Sequence, residues 1–179
     1  MARPLAARHP TIEGAVRMTA ESPGALILVD GARVEALKSA LDRHAPGLAI
    51  APQRSAISGP LTVLASGPDQ WLLVHAREPA GIWLDRLAAS LDENTAVVDQ
   101  SDARVAVVLE GSDAAEVLLT GTPYEVDSMT PGDCTATRLS HFHVLVERQA
   151  EERFRVFFTR SFALAAWDWL LQARAEFDS

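Results

Sequence analysis

The chain has 179 residues, 48% of them hydrophobic, and a formal net charge of −8 from 16 Lys and Arg against 24 Asp and Glu. That supplies one sizeable core or two small fused ones, and the acidic balance argues against nucleic acid or an anionic membrane, whose binding needs clustered cations. Cys134 is the single cysteine, the N-terminus lacks an apolar run, and no segment reaches the roughly 18 apolar residues of a membrane helix, so a cytoplasmic protein is expected.

Residues 1–24 hold Pro4, Pro10, Pro23 and Gly24 without a sustained period. They predict an extended arm whose Leu5, Ile12 and Val16 order on a partner's surface. The run ALILV (25–29) predicts a strand, and Val34, Leu37 and Leu41 a helical stripe closed by Pro46-Gly47. After a Pro-, Ser- and Gly-rich loop (46–60), LTVLA and QWLLVHA predict a hairpin turning at Ser66-Gly67-Pro68-Asp69. Pro79 suits a first helical turn, and Ile82, Trp83, Leu87 and Leu91 follow at helical spacing. TAVVD (95–99) predicts the next strand.

Val105, Val107 and Leu109 alternate with Ala106 and Val108, so RVAVVLE predicts a strand covered on both faces. Asp113 and Glu116 have capping-box spacing and predict a helix over 114–120. CTATRLS, FHVLVER and RFRVFFT predict three antiparallel strands; Phe162, Ala166, Leu170, Ala173 and Phe177 predict a last helix. The order predicts an α+β domain over 25–179, antiparallel sheet with helices packed on it. A weak echo between WLLVHAREPAGIWLDRLAASL and FRVFFTRSFALAAWDWLLQAR divides it into pseudo-repeat halves, 25–99 and 100–179.

No Gly-rich dinucleotide fingerprint, P-loop or Gly-x-Ser-x-Gly elbow is present. Cys134, His141 and His143 include ligand types, but their spacing is not that of a standard zinc site and no fourth ligand accompanies them. Asp99, Ser101, Asp102 and Arg104 form a charged knot between two predicted strands. There a carboxylate can accept backbone amides and pair with a guanidinium, which reads as a structural turn ahead of a catalytic centre. Trp167 and Trp169 stand two apart on a helix and so point to different faces, which makes them candidate partner contacts beside the plainer role of core packing.

The segments GPDQWLLV (67–74), VVDQSDARVAVVLEGSDAAEVL (97–118) and RSFALAAWDWLLQARAEF (160–177) resemble the gamma subunit family of heterotetrameric sarcosine oxidase. Where members often carry Gly-Cys-Pro, this chain has Gly121-Thr122-Pro123, which removes a shared thiol role there. More distantly the chain resembles the folate-binding aminomethyltransferases, whose Asn-Gly-Gly-rich catalytic loop it lacks. The resemblance implies two fused β-α-β-β-α-β-like halves and a non-catalytic chain with alpha, beta and delta subunits as partners. Those partners would carry FAD, FMN, NAD, tetrahydrofolate and zinc, and this chain none, with no catalytic, cofactor or metal residue of its own. The implied reaction is oxidative demethylation of sarcosine to glycine. A stand-alone tetrahydrofolate-binding one-carbon transfer protein and an assembly subunit for another secondary-amine oxidase are the alternatives.

Overall fold

The structure, a computed structural model, describes residues 11–177 and divides into two compact units. One comprises residues 11–22 and 103–177; the other is Pro23–Asp102. In chain order the strands begin with β1 (Thr11–Ile12), β2 (Arg17–Glu21), β3 (Ala25–Asp30), β4 (Ser55–Ser58), β5 (Leu61–Gly67), β6 (Gln70–His75) and β7 (Ala96–Asp99). β8 (Arg104–Glu110), β9 (Cys134–Leu139), β10 (Phe142–Ala150) and β11 (Arg153–Thr159) follow. The α-helices are α1 (Val34–Leu41), α2 (Ala80–Ala88), α3 (Ala114–Leu119) and α4 (Ala163–Ala175).

In Pro23–Asp102 the strands form an antiparallel sheet in the order β4-β5-β6-β3-β7. Ile27, Val29, Trp71, Leu73, Leu61 and Val63 are buried on one face, where alternation along neighbouring strands places them together. The Trp71 indole donates to the Ala32 carbonyl at 2.7 Å, tying β6 to the start of α1. β4 lies inside the segment expected to be loop. Of its residues Ser-Ala-Ile-Ser only Ala56 is buried, so it owes its strand form to pairing with β5 rather than to local pattern.

The other unit is an antiparallel sheet in the order β1-β2-β8-β11-β10-β9. Met18, Val107, Leu109, Val146, Phe154, Val156 and Phe158 share a core with Val117 and Leu118 of α3 and with Ala166, Trp167 and Leu170 of α4. The expected N-terminal arm is therefore corrected: Arg17–Glu21 is a strand paired to β8, with Met18 opposite Leu109 and Ala20 opposite Val107. Val16, Met18 and Ala20 are buried while Arg17 is exposed, a period-2 pattern too short to stand out before β8 supplies its ladder. The boundary between the two compact units falls after Asp102, where the sequence places pseudo-repeat halves at 25–99 and 100–179 of one domain.

The capping box at α3 does not form. Asp113 has φ −94° and ψ 9°, outside the extended region an N-cap uses, and its carboxylate accepts from the Ser112 hydroxyl at 3.3 Å instead.

Candidate functional site

Three of the four residues of the charged knot, Asp99, Ser101 and Asp102, fall in the Pro23–Asp102 unit, and Arg104 opens β8 of the other. Asp99 Oδ1 accepts the Ser101 N–H at 2.9 Å and the Ser101 hydroxyl at 2.6 Å. Ser101 Oγ in turn accepts the Leu26 N–H at 3.0 Å, while the Gln100 N–H donates to the Leu26 carbonyl at 2.8 Å. A side-chain oxygen thus adds one rung to the β3–β7 ladder past the point where backbone pairing ends. The Ser101 hydroxyl proton is directed to the exposed Asp99 carboxylate. Arg104 is partly buried, and desolvation lowers its guanidinium below the ordinary value.

A second polar cluster, not singled out in the sequence, surrounds the start of α2. His75 closes β6 and is 5% exposed. Its Nδ1 accepts the Glu78 N–H at 2.8 Å and, more weakly, that of Arg77 at 3.4 Å, which places the ring proton on Nε2, 3.6 Å from Glu78 Oε2. Arg86 of α2 reaches back to both oxygens of Glu78 at 2.6 and 3.2 Å and lies over the Trp83 ring at 5.0 Å. The hydrogen bonds from Arg86 hold the Glu78 carboxyl below its usual range. Burial lowers the His75 pKa, with Arg86 and Arg77 acting the same way and Glu78 opposing. Pro79 precedes α2 without a side-chain cap, so this cluster fixes the helix start. His75, Glu78 and Arg86 are spaced three and eight apart, a pattern that becomes informative only once β6 and α2 are known to turn on each other.

The candidate metal ligands do not converge. Cys134 is buried on β9, His141 lies in the turn after Ser140 rather than on a strand, and His143 is exposed on β10. Among the described residues no group of three or more His, Cys, Asp or Glu could hold a metal ion.

Of the candidate interface residues, Leu5 lies outside the described residues and Ile12 is half-buried in β1. Val16 and Trp167 are both 0% exposed and are corrected to core positions, because strand pairing and helix packing enclose them. Trp169 is half-buried, its six-membered ring edge against Gly121, so closely that a Cβ at that glycine would overlap it. No helix among the described residues is long and apolar enough to cross a membrane.

Two antiparallel sheets with helices, one unit interrupted in sequence by the other, define an aminomethyltransferase-like fold. Aminomethyltransferase T of the glycine cleavage system from Bartonella henselae superposes with a TM-score of 0.65 at 20% identity, over 86% of this chain and 45% of that one, a likeness of fold. A family model described as "Sarcosine oxidase, gamma subunit family" matches residues 26–176, and the chain belongs to that family. The sarcosine oxidase subunit gamma of Corynebacterium sp. (strain U-96) is 34% identical over 120 residues, 65% of this chain. The match spans 58% of that relative's length. A chain of the heterotetrameric sarcosine oxidase from Corynebacterium sp. U-96, solved in complex with pyrrole 2-carboxylate, superposes with a TM-score of 0.84 at 26% identity, over 99% of this chain and 97% of that one.

Proposed function

We propose that this chain is a structural, non-catalytic subunit of a heterotetrameric sarcosine oxidase. The alpha, beta and delta subunits carry FAD, FMN, NAD, tetrahydrofolate and zinc in this reading. The complex converts sarcosine, oxygen and tetrahydrofolate to glycine, hydrogen peroxide and methylene-tetrahydrofolate. The near full-length superposition on a chain of the solved heterotetramer carries the reading. The charged knot supports it from within: Asp99 and Ser101 bond each other, and Ser101 bonds Leu26, as a structural turn requires. A cytoplasmic location fits the use of a single cysteine, Cys134.

The aminomethyltransferase-like fold favours a second reading, a stand-alone tetrahydrofolate-binding protein. Calorimetric titration of the isolated chain with tetrahydrofolate separates the two. The subunit reading expects no saturable heat, and assembly when the larger subunits are co-expressed. Stoichiometric folate binding by a chain that ignores those subunits would overturn it.

A further inference from the structure

β7 is the outer strand of its sheet: it pairs with β3 on one side and, among the described residues, with no strand on the other. The Gln100 N–H donates to the carbonyl of Leu26, directly across the ladder. The antiparallel alternation that follows turns the N–H and C=O of Val97 and Asp99 away from β3. Beside these groups the Val98 side chain is 45% exposed. Soluble proteins usually blunt such an edge with Lys, Pro or a bulge. Here the ladder to β3 runs in unbroken register from Ala96 to Asp99, and residues 87–103 contain no Lys, Arg or Pro. The same stretch carries Asp92, Glu93, Asp99 and Asp102, and Asp30 stands across from Ala96; all five carboxylates are exposed.

We propose that the outer edge of β7 receives, as a sixth strand of its sheet, an extended Lys- or Arg-bearing segment of a larger subunit of the oxidase complex. The proposal rests on the subunit reading above. Backbone hydrogen bonds to Val97 and Asp99 supply the pairing, Val98 the apolar neighbour, and the carboxylates select a basic strand.

Two full-chain variants test it. Val97→Pro removes an N–H that faces away from β3, so it obstructs an added strand while sparing the β3 ladder. Asp30→Lys with Glu93→Lys reverses charge beside the edge and leaves β7 itself unchanged. Each is co-expressed with the larger subunits, and dissociation on dilution is followed by gel filtration in about 50 and about 500 mM salt. The expected result is dissociation at roughly tenfold higher concentration for each variant, a salt-weakened wild type, and free variants that melt as the wild type does. Wild-type retention of both variants would overturn the proposal. So would an isolated wild-type dimer that Val97→Pro dissolves, since that gives the edge to a second copy of the chain. Should Val97→Pro fail to fold, the charge-reversed chain decides alone. A wild-type chain that never joins the larger subunits defeats the subunit reading, whereas loss confined to the variants supports both.

Discussion

Arg155 holds Glu147 through a single carboxylate oxygen, Oε2, with Nε at 2.8 Å and Nη2 at 2.7 Å, the two residues facing each other across β11 and β10. Glu147 is 1% exposed, and its Oε1 has no hydrogen-bond partner among the described residues. Removing the cation strands a buried carboxylate, so Arg155→Met is expected to cost about 3–5 kcal/mol in urea unfolding. Replacing both partners, Glu147→Leu with Arg155→Met, is expected to recover most of that loss. A double variant as unstable as the single one would show that the pair acts through something other than its charge.

Ser101 matters more to its turn than Asp99 does, because its hydroxyl oxygen accepts the Leu26 N–H. Ser101→Ala leaves the Leu26 N–H unpaired and is expected to lower stability by about 1–3 kcal/mol. Asp99 is exposed, and Asp99→Ala is expected to cost no more than about 1 kcal/mol. Both complexes should keep their turnover per assembled particle; normal melting with lost turnover in either would return the knot to catalysis.

Continuous apolar runs explain why β8, β10 and β11 were legible in the sequence: RVAVVLE, FHVLVER and RFRVFFT read as strands before any partner is known. β2 and β4 were not, since Arg17–Glu21 and Ser55–Ser58 become strands through β8 and β5, which lie elsewhere in the chain. The knot was readable as a turn from its Asp and Ser, but not the bond from Leu26 to Ser101, 75 residues apart. Trp167 and Trp169 were legible as a helix pair. That one fills the core and the other covers Gly121 depends on where α3 ends.

The His75 cluster predicts a pH dependence. Its folded pKa lies below the ordinary 6.5, so the unfolded chain takes up the proton more readily. The stabilisation is full above the unfolded pKa and is lost as pH falls from there through the folded pKa. Protonation also places hydrogen on Nδ1, which now accepts from Glu78. The melting temperature should therefore fall between about pH 7.5 and about pH 5.5. His75→Asn, which keeps an acceptor without titrating, should flatten that slope; an unchanged slope would place the titrating group elsewhere.

Gly121 is where Trp169 approaches the backbone, and its carbonyl accepts the Ser140 N–H at 2.6 Å. Gly121→Ala should destabilise by about 1–3 kcal/mol through overpacking. Adding Trp169→Leu should cancel part of the loss, a non-additivity that a double-mutant cycle reads directly. Strict additivity would mean the two residues do not press on each other.

Sarcosine-dependent peroxide formation, measured on the isolated chain, on the larger subunits alone and on their assembly across a dilution series, tests the structural-subunit account most directly. The account predicts none from the isolated chain and sustained turnover from the assembly. It also predicts that the larger subunits lose activity on dilution and regain it when this chain is added. Peroxide formation by the isolated chain, or larger subunits whose activity is indifferent to it at every dilution, would contradict the account.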